Sequence, residues 1–204
     1  MKKLLIILTF SFIGSAAFTQ GFGIRLGANL AKQKYDFADI DRSKFETISL
    51  FGLQFGIDYE FGFTESLYFN PAILYSSKGT KLKITFFEET LEGTTQMNFI
   101  DIPLDFVYKM DVGDMKVGLF AGPYLGYFLN GTSSIEEEKV DIEKDDVNVL
   151  DYGLDFGVGL YVGHLNFRIS YELGLADIGK KEESYNNDGT IKNRVLSFTA
   201  GYRF

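Results

Sequence analysis

The feature that most constrains this chain is a two-residue hydrophobic period that recurs in eight separate segments. Apolar side chains fall on every second position in Phe22 to Leu30, Ser49 to Phe61, Leu67 to Ser76, Phe99 to Lys109, Lys116 to Phe128, Leu150 to Val162, Leu165 to Leu173 and Arg194 to Phe204. A period of two belongs to β-strands, and none of the segments repeats at the 3.6 residues of a helix. Segment two shows the pattern plainly: Phe51, Leu53, Phe55, Ile57, Tyr59 and Phe61 share one face, while Gly52, Gln54, Gly56, Asp58 and Glu60 share the other. A soluble sandwich or lipocalin-like barrel also alternates, but it turns the apolar face inward. Here the second face carries glycines and charges, suited to a narrow interior, and the first face is uniformly large and apolar, as lipid requires. Tyr59, Tyr75, Tyr108, Tyr127, Tyr152, Tyr171 and Tyr202 lie on the apolar face, where those near segment ends supply an aromatic girdle in a chain without Trp.

The connections point the same way. Gly62 to Ser66, Met110 to Met115 and the pair Gly163 and His164 are short, whereas 31–48, 77–98, 129–149 and 174–193 are long. Alternating long and short links over an even strand number is the pattern of an outer-membrane barrel with short periplasmic turns and long outer loops. The fold expected is all-β, an eight-stranded antiparallel up-and-down transmembrane β-barrel over residues 20–204. Pro71, Pro103 and Pro123 sit inside three of its strands. Each removes a ladder donor, so they are expected at bulges or where the wall is locally irregular.

Ahead of the barrel, Lys2 and Lys3 precede an apolar run from Leu4 to Ile13 and the small residues Gly14, Ser15, Ala16 and Ala17. This order is that of a secretory signal peptide over residues 1–19, with cleavage between 17 and 20. The alternative, a membrane anchor, needs about 20 apolar residues. Export from a Gram-negative cytoplasm and a barrel pattern together lead to the outer membrane.

Composition removes several function classes. The chain of 204 residues has no Cys and one His, so disulfide scaffolds, Cys-ligated zinc and thiol catalysis are excluded. With 20 Lys and Arg against 28 Asp and Glu the net charge is −8, unsuited to nucleic acid. No phosphate loop, haem signature or metal-spaced His pattern appears, so no cofactor is expected.

The interior row is expected to hold Arg25, Lys109, Lys116, Arg168 and Arg203 beside Asp58, Glu60, Asp101, Asp105, Asp151, Asp155 and Glu172. Charges there must be paired or hydrated. A narrow channel or proton path is one reading and a salt-bridge plug another. Eight strands leave room only for side chains, which favours the plug. A carboxylate pair for acid–base chemistry is conceivable among Asp101, Asp105, Asp151 and Asp155. The single His164 lies in a turn, so a Ser–His hydrolase has no base facing outward, and the chain is expected not to be an enzyme.

In the third long connection Asp141, Glu143 and Asp145 could offer oxygen ligands to Ca²⁺, although the Gly and terminal Glu of an EF-hand are missing; a solvated loop is the simpler expectation. In the last strand Phe198, Tyr202 and Phe204 alternate to the end of the chain and resemble the signal read by the barrel-assembly machinery.

Four stretches resemble one family. Leu67-Tyr68-Phe69-Asn70-Pro71-Ala72-Ile73-Leu74-Tyr75-Ser76-Ser77-Lys78-Gly79, Ile100-Asp101-Ile102-Pro103-Leu104, Gly122-Pro123-Tyr124-Leu125-Gly126 and Gly201-Tyr202-Arg203-Phe204 are similar to the PorT-like outer-membrane barrels of Bacteroidota. Ala72 departs from a form in which Glu follows the proline. The resemblance implies a barrel and, for the family's namesake, an accessory role in type IX secretion and gliding. The expected function is a structural or interaction barrel with exposed loops. Outer-membrane lipid, lipopolysaccharide, the assembly machinery and secretion proteins are its expected partners.

Overall fold

The computed structural model describes residues 21–36, 45–86, 89–135, 138–180 and 189–204; the expected signal peptide lies outside them. Nine strands occur among these residues: β1 Gly21–Asp36, β2 Phe45–Gly62, β3 Leu67–Phe86, β4 Glu89–Val112, β5 Met115–Ile135, β6 Glu138–Ile142, β7 Leu150–Val162, β8 Leu165–Gly174 and β9 Thr190–Arg203. All pairings between these strands are antiparallel. Each of β1 to β5 pairs with the next, β5 continues to β7, β8 and β9, and β9 returns to β1. The ring of eight therefore closes, and β6 is a ninth strand hydrogen-bonded to the projecting end of β5.

The inside-out pattern is direct. Outward side chains are apolar and exposed, such as Leu26 at 65% and Phe51 at 63%, whereas Asp101 and Asp105 on the inward row are exposed at 1% and 0%. Polar burial on this scale is tolerable only because the inward groups bond one another. At the short-turn end, β7 and β8 are joined by Gly163 and His164 alone, and Gly163 takes the left-handed φ of 56° that a two-residue hairpin favours. His164 Nδ1 lies 2.7 Å from the Arg203 carbonyl, and its ring stacks on Tyr202.

One expectation needs correction, and one left open is decided. The strands are longer than the hydrophobic alternation: β3 continues to Phe86, β4 starts at Glu89 and β5 reaches Ile135, so much of two long connections is sheet. Their outer parts are polar, with Thr80, Thr94, Thr95 and Ser133 in the ladders, and backbone pairing carries the strands past the apolar belt. Of the two settings expected for the prolines, a bulge or a locally irregular wall, the structure gives the second, without a register shift. The β3–β4 ladder lapses between Pro71↔Leu104 and Leu74↔Asp101, and β4–β5 between Pro103↔Tyr124 and Phe106↔Ala121, with unchanged register on each side. They occupy neighbouring places on three adjacent strands and form one irregular band of wall. The register shifts occur elsewhere, between Ser49 and Gln54 in β2 against β3, and between Asn98 and Phe99 in β4 against β5.

Candidate functional site

The interior of the ring divides into three levels. Towards the short turns, Lys109 Nζ bonds Glu60 Oε1 at 2.7 Å and sits 4.1 Å from the ring centres of both Tyr68 and Tyr161. Arg203 pairs with Glu60 and Asp58. An ammonium held between two aromatic faces is attracted by both quadrupoles, and the three side chains fill this cross-section. Below them a cavity of about 460 Å³ opens at the short-turn end, lined by Glu60, Lys109, Tyr161, Asn166 and Arg203 among others.

At the middle level Asn70 is the hub. Its Oδ1 accepts from Arg25 Nη2 and Arg168 Nη1, each at 2.7 Å, and its Nδ2 donates to Asp58 Oδ1 at 3.1 Å and to the Tyr59 carbonyl at 2.9 Å. Arg25 Nε also pairs with Asp58 at 3.0 Å, Arg168 pairs with Asp105, and the Arg168 guanidinium lies 3.7 Å from the Phe120 ring centre. A neutral amide here joins two like-charged guanidiniums that would otherwise repel one another.

The third level holds Lys78. Its Nζ lies 2.7 Å from Glu172 Oε2, 2.8 Å from Asp101 Oδ2 and 3.8 Å from Asp151 Oδ2. Asp151 Oδ2 also accepts from Tyr124 Oη at 3.1 Å and Asn193 Nδ2 at 2.9 Å. Asp155 stands directly across from Glu172, and among the described residues its Oδ1 is buried without a hydrogen-bond partner.

Above Lys78 the lumen turns apolar. Met97, Phe99, Phe128 and Ile178 form a buried cluster against Ile142, Val147, Val149 and Ile191. The segment carrying Ile178 is tied down by Asn148, whose Nδ2 donates to the carbonyls of Asp177 and Gly179 at 2.9 Å. Asp177 Oδ1 accepts from the backbone N–H of Ile191 at 2.8 Å. Thus the long-loop end is closed by an apolar cap and the short-turn end by the Tyr–Lys–Tyr stack.

Of the interior charges expected from sequence, Arg25, Asp58, Glu60, Asp101, Asp105, Lys109, Asp151, Asp155, Arg168, Glu172 and Arg203 all point inward and are buried or nearly so. Lys116 is a correction: it lies at the short-turn rim, 3.3 Å from Asp111 on the opposing strand, outside the network. Its position has inward parity, but the strand there has already passed the enclosed interior. Lys78 and Asn70 were not expected. Lys78 has the parity of Asn70, Leu74 and Ser76, and extending the third segment two residues would have found it. Asp141, Glu143 and Asp145 are exposed, and no group of three metal-ligating side chains is gathered among the described residues. The Glu143 N–H instead donates to Asp146 Oδ2 at 2.8 Å. Phe198, Tyr202 and Phe204 face outward and are exposed.

Among solved structures the ring is similar to OprG from Pseudomonas aeruginosa, with a TM-score of 0.51 and 13% identity over 91% of this chain and 96% of that one. It is similar to a major outer membrane protein of Thermus thermophilus, with a TM-score of 0.51 and 14% identity over 92% of this chain and all of that one. Neisserial surface protein A aligns at 16% identity and a TM-score of 0.48 over 92% of this chain and all of that one. No curated protein matches. The family model for the outer membrane protein beta-barrel domain matches residues 16–179. The chain belongs to this outer-membrane β-barrel family, and its location is the outer membrane.

Proposed function

We propose that this protein is a closed, non-enzymatic barrel that spans the outer membrane and acts through its projecting end, with the short turns in the periplasm. The observation that carries the reading is the double seal, Phe99, Phe128 and Ile178 at one end and Lys109 between Tyr68 and Tyr161 at the other. A side-chain-filled eight-stranded ring with both ends closed supports a structural or interaction role over a solute channel. All the expected interior carboxylates except Asp155 are held as counter-ions, which favours structure over acid–base chemistry. Planar-bilayer recording tests the seal: the parent chain gives no steady conductance, and Ile178→Asp with Phe128→Ala gives a measurable leak. A stable open current from the parent refutes the closed reading.

The motifs shared with PorT-like barrels support a finer role, as accessory to type IX secretion. Deleting the gene and comparing secreted proteins by quantitative proteomics tests it. Selective loss of type IX cargo, restored by the intact gene, is the expected result; an unchanged secretome leaves the barrel as a surface protein.

A further inference from the structure

On the outward face of β1 and β9 the side chains change character at one rung. Leu26, Leu30, Phe198 and Leu196 belong to the apolar belt, with Leu30 directly across from Leu196. The next outward pair is Lys32↔Arg194 and the one beyond it Lys34↔Lys192. Four cations thus occupy a block two residues wide and two rungs high. Cross-strand neighbours lie about 5 Å apart at Cβ and alternate residues of one strand about 7 Å apart. Like charges directly opposite on a sheet destabilise it, and this arrangement stacks two such pairs.

Little within the described residues offsets them. Lys34 pairs with Asp36 at 2.6 Å, and Arg194 Nη1 donates to the carbonyls of Gly174 and Asn193. The side chains of Lys32 and Lys192 make no ion pair or hydrogen bond among the described residues. The rim on β3 and β4 is built differently: Lys83 pairs with Glu92 at 2.5 Å and stands across from Glu46. The cationic block also contrasts with a chain whose net charge is −8.

From Phe22 to Leu30 the outward belt of β1 spans eight residue steps, about 26 Å along the strand at about 3.3 Å each, which a tilted strand uses to cross the hydrocarbon. Lys32, Lys34, Lys192 and Arg194 therefore stand at headgroup height. With the orientation proposed above, on which this step rests, that is the outer leaflet. We infer that this block is a binding site for the phosphate of an outer-leaflet glycolipid of the lipid A class, seated by Lys32 and Lys192 with Lys34 and Arg194 beside them. The acyl chains of such a lipid lie along Leu30 and Leu196, so one molecule satisfies both the charge and the apolar surface below it.

The full chain, refolded into phosphatidylcholine nanodiscs, is titrated with bis-phosphorylated lipid A, with dephosphorylated lipid A and with inorganic phosphate, and bound lipid is read by native mass spectrometry. Retention of bis-phosphorylated lipid A is expected, weakened about fivefold for each lysine removed in Lys32→Gln and Lys192→Gln, and unchanged in Lys139→Gln on β6. Equal binding of dephosphorylated lipid, or full binding by the double variant, overturns the site. Inorganic phosphate binding as tightly as the lipid shows a free-anion seat and overturns the lipid assignment. A second readout has a sign of its own. In phosphatidylcholine alone the double variant unfolds at the same or a higher temperature than the parent, because like charges are relieved. With lipid A present it unfolds lower; failure of the order to reverse counts against the proposal. Orientation is read separately by labelling Val140→Cys with a membrane-impermeant maleimide in intact cells, a clean probe because the chain has no Cys. An unlabelled cysteine rejects the outward orientation whatever the nanodisc result.

Discussion

The middle and upper levels of the interior face the same problem with different means. In the middle, Arg25 pairs with Asp58 and Arg168 with Asp105, both guanidiniums also donate to Asn70, and Arg203 gives Asp58 a second cation, so the loss of Arg25 leaves Asp58 a partner. At the upper level a single ammonium, Lys78, lies within 4 Å of three carboxylates, Asp101, Asp151 and Glu172, beneath an apolar cap. Planar guanidiniums distribute several donors in fixed directions, while an ammonium is a compact point charge that several acids can surround. The difference teaches where redundancy lies: the middle level is distributed, and the upper level depends on one residue.

The largest test of this contrast is Lys78→Met. It leaves three buried carboxylates without their cation, and the expected loss is about 3–5 kcal/mol, the range for breaking a buried pair from one side. Heat-modifiable migration after refolding into vesicles measures it. Arg25→Met is expected to cost distinctly less, because Arg203 still pairs with Asp58 and Arg168 still bonds Asn70. An equal or greater loss for Arg25→Met breaks the comparison. Next in size is Asn70→Ala, which removes the amide that both guanidiniums and Asp58 share. A loss of about 1–3 kcal/mol is expected for groups left unsatisfied in the interior, seen as a lower denaturant midpoint.

Asp155→Asn carries the opposite sign. It removes a carboxylate standing directly across from Glu172, and the expected gain is up to about 1 kcal/mol. A destabilised Asp155→Asn barrel in the same assay means that this carboxylate has a role the ion pairs do not reveal.

The smallest effect belongs to the solvent-exposed pair on the projecting sheet. Lys83 holds the Glu92 carboxyl below its ordinary value, and Glu92 raises the Lys83 ammonium, in both cases mainly through their hydrogen bond. The Glu92 contribution is present above the carboxyl's unfolded pKa and is lost as pH falls through the lowered one. The Lys83 contribution is present below the ammonium's unfolded pKa and is lost as pH rises through the raised one. Exposure and salt screening keep both small. Glu92→Gln should leave the melting temperature within experimental error while flattening any pH dependence near the acid end; a large shift contradicts a screened surface pair.

Much of the architecture was legible in the residues themselves. Strict alternation with the large apolar set exposed admits few solutions, and even strand number with alternating connection lengths selects a closed up-and-down ring. Inward and outward rows follow from parity, so eleven of the twelve expected interior charges lie where the period puts them. Lys116 shows the limit: parity assigns a face, and only strand height decides whether that face encloses anything. Lys78 shows the converse, because polar residues from Ser77 onward hide the strand's continuation.

What the sequence determined alone was therefore local and periodic: strand state, facing and turn position. The tertiary structure decided which inward residues meet. Asn70 and Arg168 are 98 residues apart, and Ser197 donates to Asn29 Oδ1 across 168. It also decided that Ile178, from a connection without alternation, caps the lumen, and that Lys32 and Lys192 stand on adjacent rungs. The physical reason is that a two-residue period specifies direction but not neighbour. Neighbours are set by ring closure and register, which depend on all eight strands at once.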